Sequence, residues 1–183
     1  PIHAMIYGKW GTGKTYAAKK IKEAFYLKVP EGQLSKSRLI KIFALSLGCG
    51  YRNLYEGTLD LMRYHILEKS IRHCIFILDE GQRILKNSSL LAELKDLSED
   101  ESLRFSYIFL GDHQLPKIYQ ANPHSLHKRI LIKKELEPLT IHMLTTLAKS
   151  YKLQLSEKDM NIILNFGKQK GCLLYTSDAA DER

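Results

Sequence analysis

The chain has 183 residues, 44% of them hydrophobic and 26% charged, enough for one large or two small domains with a buried core and too apolar for a low-complexity tail. Lys and Arg number 28 against 20 Asp and Glu, a net charge of +8 that favours polyanionic partners. No apolar run reaches the roughly 18–20 residues of a membrane span. The three cysteines, Cys49, Cys74 and Cys172, lack metal-ligand spacing and an even count; this argues against a zinc site or disulfide scaffold and for a reducing, cytoplasmic setting.

The chain opens Pro1-Ile2-His3-Ala4, without an initiator Met or a secretory leader. His3 to Tyr7 reads as a buried strand feeding a glycine turn. Thr15 to Phe25 reads as a helix with Ala17, Ala18, Ile21 and Phe25 on one face, and Phe25 to Val29 as a second strand stopped by Pro30. Helical spacing returns over Leu34 to Leu47, ending at Gly48, and over Leu59 to Lys69. Cys74 to Leu78 is an unbroken apolar run before Asp79-Glu80, the pattern of a strand buried on both faces. Ser88 to Leu97 is helical with Ser88 or Ser89 as cap, Phe105 to Leu110 is a buried strand, Leu115 to Leu126 is irregular or helical, and Ile130 to Ile132 is a short last strand. Beyond Pro138 the strands stop, and Thr140–Tyr151 and Ser156–Phe166 read as two amphipathic helices, each opened by a hydroxyl residue. Strands alternating with helices predict an α/β fold, a parallel sheet covered on both faces over residues 1–137, with a helical appendix over 138–171.

Gly8-Lys9-Trp10-Gly11-Thr12-Gly13-Lys14-Thr15 satisfies G-x-x-x-x-G-K-[ST] between a predicted strand and a predicted helix. Glycines let the backbone curl so that successive N–H groups face phosphate oxygens, and the helix N-terminus adds positive charge. Lys14 can reach the β- and γ-phosphates of ATP, and the Thr15 hydroxyl can bind Mg²⁺. Trp10 has two uses there, stacking on a base or packing and partner contact. Asp79-Glu80 completes the pattern: a strand lying beside the phosphate-loop strand would deliver Asp79 to the metal, directly or through its waters, and Glu80 to the attacking water. An Asp-Glu pair alone is usually a solvated turn; the upstream loop gives it meaning.

Asp79-Glu80-Gly81-Gln82-Arg83-Ile84 resembles the D-E-[AG]-Q-x-[IL] stretch of AAA+ ATPases related to Mu-type DNA transposition ATPases, ExeA-like secretion ATPases and origin-recognition proteins. Phe109-Leu-Gly-Asp112-His-Gln-Leu115 is similar to that family's strand ending G-x-x-x-L, and Leu126-His-Lys-Arg129-Ile130 with Leu136-Glu-Pro138-Leu139-Thr140 to its L-x-x-R-[IV] and L-x-P-L-[ST] run. The resemblance spans most of residues 3 to 171. It implies a P-loop NTPase sheet with a small helical lid, and puts the sensor-1 position at Asp112 or its neighbour. Many relatives carry neutral Asn, Ser or Thr there, and a carboxylate near the γ-phosphate repels it unless turned away or paired. Arg129 matches an arginine that reaches the nucleotide of the next subunit, which implies a homo-oligomer; the other reading is an exposed arginine beside Lys128. The sensor-2 arginine should follow Gly167-Lys-Gln-Lys-Gly171, where Lys168 or Lys170 can stand in.

Basic residues cluster at Lys19, Lys20 and Lys22, at Lys133 and Lys134, and at Lys149 and Lys152. Their summed charge fits non-specific, salt-sensitive binding to duplex DNA, with no zinc-finger or RRM signature for reading sequence. The favoured role is an accessory ATPase of DNA transposition that activates a transposase; the alternatives are an ExeA-like secretion or envelope-assembly ATPase and a replication-initiator-like ATP switch. Cys172–Arg183 resembles the translation of a sequencing-library adapter, so the sequence reads as a fragment open at both ends. Without that tail, 27 basic and 17 acidic residues remain, a net charge of +10.

Overall fold

The computed structural model describes residues 1–170 other than Trp10, 51–56, 122–124 and Leu139; the side chains of Ser125, His127 and 166–170 are also outside the description. The tail at 172–183 and the side chains of Lys168 and Lys170 therefore lie outside the described residues.

Five parallel strands form one sheet: β1 (His3–Gly8), β2 (Ala24–Lys28), β3 (Cys74–Asp79), β4 (Phe105–Gly111) and β5 (Ile130–Leu136), in the order β2-β3-β4-β1-β5. Parallel pairing brings the C-terminal ends of all five to one edge. The register sets Met5 opposite Phe109 and Leu78 opposite the same Phe109. This corrects one expectation: the acidic strand β3 does not lie beside the phosphate-loop strand β1, because β4 runs between them. At about 4.8 Å per strand, β1 and β3 run about 10 Å apart, with β4 between them.

The helices are α1 (Lys14–Lys19), α2 (Lys36–Ser46), α3 (Thr58–Glu68), α4 (Gln82–Leu85), α5 (Ser88–Glu99), α6 (Leu115–Ala121), α7 (Ile141–Ser150) and α8 (Glu157–Lys170), with a 3-10 turn at Ser125–Arg129. One sheet face carries alternate side chains, Met5, Phe76, Phe105, Tyr107 and Phe109, which pack with Leu39 and Phe43 of α2 and Leu91 and Leu94 of α5. Aromatic rings meet there, Phe43 on Phe76 at 4.4 Å and Phe76 on Phe105 at 4.8 Å between centroids. The other face is covered as well, as expected, though more thinly. Among the described residues, Ala18 of α1 joins Ile77 and Leu110 in its buried cluster, and Ile132 is 56% exposed.

Two local expectations also change. The helical spacing through Phe25 is overruled by pairing: α1 ends at Lys19, Ile21 is exposed, and Phe25 sits in β2 opposite Phe76. Helix α5 is capped by Asn87, whose side-chain oxygen accepts from Leu90 N at 3.2 Å, and not by Ser88 or Ser89, because Asn87 holds the extended backbone a cap needs. The hydroxyl starts of the last two helices hold. Thr140 accepts from Met143 N, and Ser156 and Asp159 exchange backbone-to-side-chain bonds. Tyr16 and Tyr151 hydroxyls meet at 2.6 Å and tie this helical pair to α1.

Candidate active site

The loop after β1 curls through Gly11 and Gly13, both at φ 79°, a conformation open to glycine at no steric cost. Gly13 then starts α1, and Thr12 Oγ1 donates to Lys9 O at 3.0 Å. The Lys14 ammonium folds back over the turn and donates to Gly8 O (2.9 Å), Lys9 O (2.8 Å) and Thr12 Oγ1 (3.1 Å). Burial depresses its pKa below the ordinary lysine value, opposed by the negative charges of Asp79, Asp112 and Glu80. Three acids from two strands thus act on one cation.

Asp79 is buried at the end of β3. Its Oδ2 accepts from Thr15 Oγ1 at 2.7 Å and from Tyr26 OH at 2.6 Å, and its Oδ1 from Glu80 N at 3.0 Å. The Thr15–Asp79 bond joins the phosphate loop to the acidic strand across the width of β4. A hydroxyl and a carboxylate are hard oxygen donors, the type Mg²⁺ takes when phosphate oxygens and waters complete its shell. Among the described residues, no group of three or more His, Cys, Asp or Glu side chains converges as an all-protein metal cage.

Glu80 has φ 62°, left-handed for a residue with a Cβ, which turns its side chain out of the strand line. Its Oε2 accepts from Gln82 Nε2 at 2.8 Å and lies 3.8 Å from Arg83 Nη2. Gly81 permits this turn, since a Cβ there would stand 3.1 Å from Phe109 Cβ and 3.2 Å from Leu110 O. Asp112 follows β4 directly and sits between the two loops. Its Oδ1 accepts from Gln114 N at 2.8 Å, and its negative charge raises the Lys14 pKa without a direct ion pair among the described residues.

Arg129 is not brought to this edge. It precedes β5 at the opposite, N-terminal edge, where it is bonded to Glu99 of α5, which also pairs with Lys95 at 3.0 Å. Trp10 lies outside the described residues. The geometry adds three residues to those read from sequence: Tyr26, Gln82 and Arg83. Gln82 stands inside the D-E-G-Q stretch and had a signal there; Tyr26 is one aromatic in a strand, 53 residues from its partner, and had none.

A phosphate-cradling loop bonded across to a two-acid strand end, on a parallel sheet of this order, defines an AAA+ P-loop ATPase. The sequence profile of the AAA domain family matches residues 3–119, and the chain belongs to that family. No curated protein matches. Among solved structures, the Aeropyrum pernix ORC2 protein in its ADPNP–ADP complexes is similar over 89% of this chain and 49% of its own, with TM-score 0.62 and 17% identity. The Aeropyrum pernix ORC1 protein in complex with DNA covers 92% and 50%, at 0.61 and 14%. The AMPPCP-bound DnaA of Aquifex aeolicus covers 88% and 49%, at 0.52 and 20%. The chain spans about half the length of these structures.

Proposed function

We propose that this chain is the ATP-hydrolysing module of a DNA-associated assembly, serving as an accessory ATPase of DNA transposition that coats target DNA in its ATP state and activates a transposase. The observation that carries the hydrolytic part is the Thr15–Asp79 bond at 2.7 Å, with Lys14 on one side of it and Glu80 on the other. Backbone N–H groups of the Gly8–Thr15 loop hold the phosphates, and Lys14 leaves its loop carbonyls for the β- and γ-oxygens. Thr15 and Asp79 would hold Mg²⁺, which supplies neutralising charge when bound. Glu80 orients the attacking water and accepts its proton. Arg129, remote from its own loop, is supplied to the nucleotide of a neighbouring copy in a homo-oligomer.

The +8 charge and the scattered lysines support duplex DNA as partner, and a relative solved with DNA agrees with it. A second reading, a replication-initiator-like ATP switch, is favoured by the ORC and DnaA proteins among the structural relatives.

The test is ATP turnover with Mg²⁺, with and without duplex DNA, across a salt series. DNA-stimulated turnover that falls steeply with salt supports the DNA-associated reading, and turnover indifferent to DNA removes it. Glu80→Gln should bind ATP and turn it over only at a residual rate that single-turnover assays read; turnover near the wild-type rate removes the assigned role of Glu80. Stimulation of transposase strand transfer by the ATP form supports the transposition role, whereas slow turnover with sequence-selective binding supports the switch.

A further inference from the structure

We infer that Gln82 is the positioning residue that aims Glu80, an inference resting on the hydrolytic reading above. Glu80 leaves β3 in a left-handed turn (φ 62°), so strand geometry no longer fixes where its carboxylate points. Something outside the strand must do so. The nearest group is the Gln82 amide, which donates from Nε2 to Glu80 Oε2 at 2.8 Å. Arg83 stands further off, 3.8 Å from the same oxygen, and is engaged by Val29 O at 2.9 Å and Glu31 at 3.0 Å. A neutral amide holds a carboxylate by direction and not by charge.

The arrangement costs the fold something. Gln82 Oε1 is buried with no hydrogen-bond partner among the described residues. It lies against Gly111 at the end of β4, so close that a Cβ on Gly111 would be 2.5 Å from it. A side chain chosen for stability would not strand an acceptor there; one chosen to grip Glu80 through Nε2 has no other way to turn. Gly111 is the companion of this choice, leaving the space that the amide fills.

The experiment uses the full chain with ATP and Mg²⁺. Gln82→Met keeps length and shape and removes the donor. Turnover should fall about 10–100-fold, with KM for ATP within about twofold of wild type and a thermal midpoint no lower than wild type. Single-turnover assays in a Glu80→Gln background supply the readout that a merely structural role would not move. There Gln82→Met should cost nothing further, because the group it aims is gone. Gly111→Ala approaches from outside: its Cβ displaces the amide, and it should reproduce the loss of turnover without adding to that of Gln82→Met. Wild-type turnover in Gln82→Met, or a loss that multiplies through in the Glu80→Gln background, overturns the inference alone. A wild-type chain that fails to hydrolyse ATP overturns it together with the hydrolytic reading.

Discussion

The two edges of the sheet are built on opposite terms. At the C-terminal edge the backbone is bent into left-handed conformations at Gly11, Gly13 and Glu80, and four charged side chains, Lys14, Asp79, Glu80 and Asp112, act on one another. At the N-terminal edge the buried histidine is His3. It is fully covered, stacked on Tyr107 at 5.0 Å, and its Nδ1 accepts from Tyr107 N at 3.1 Å. Charge there is kept on the surface, in the Arg129–Glu99–Lys95 cluster. One edge concentrates buried charge and strain where a ligand can repay them; the other neutralises or exposes its charge. Arg129 belongs structurally to the second edge, away from the nucleotide loop of its own chain.

The largest effects should fall on the charged edge. Lys14→Ala removes the cation on which all three acids act, and both nucleotide binding and turnover should drop below detection by fluorescent-nucleotide titration and phosphate release. Arg129→Ala should lower turnover of assembled protein by about 10³-fold, and mixing it with Glu80→Gln subunits should restore activity. No rescue at any ratio would leave Arg129 as surface charge. Gly8→Ala strikes the junction of loop and sheet, where a Cβ would stand 2.5 Å from Leu136 O, a backbone atom that cannot swing aside. A loss of about 2–3 kcal/mol in denaturant unfolding is expected as β5 is pushed off β1.

The contrast between edges was unequally legible from sequence. The phosphate loop and Asp79-Glu80 are local patterns, readable because the physics they serve is local: glycines that bend, a helix start that follows, acids that end an apolar run. All five strands were visible for the same reason. Strand order was not, since nothing in Cys74–Leu78 says that its neighbours are β2 and β4 and not β1. Helical spacing through Phe25 was also misleading, because ring contact with Phe76 at 5.2 Å and sheet pairing outweigh propensity. Tyr26 shows the limit most clearly. Its bond to Asp79 depends on two strands aligning in register, and no spacing along the chain encodes that.

The quiet edge has its own test, smaller than the others. Burial, with the nearby positive charge of Arg129, holds the His3 pKa down at about 4. The unfolded chain protonates the same ring near 6.5. As pH falls from about 6.5 to about 4 the unfolded state therefore takes up a proton that the folded state refuses, and stability falls over that window and levels off below it. Allowing for screening at a sheet edge, the loss should be roughly 2 kcal/mol. His3→Asn keeps an acceptor near Tyr107 N and removes the titration, so its unfolding midpoint in urea should change less between pH 6.5 and 5 than that of wild type. Parallel curves for the two proteins would mean that His3 is protonated in the fold, and that the N-terminal edge tolerates a buried charge as the other edge does.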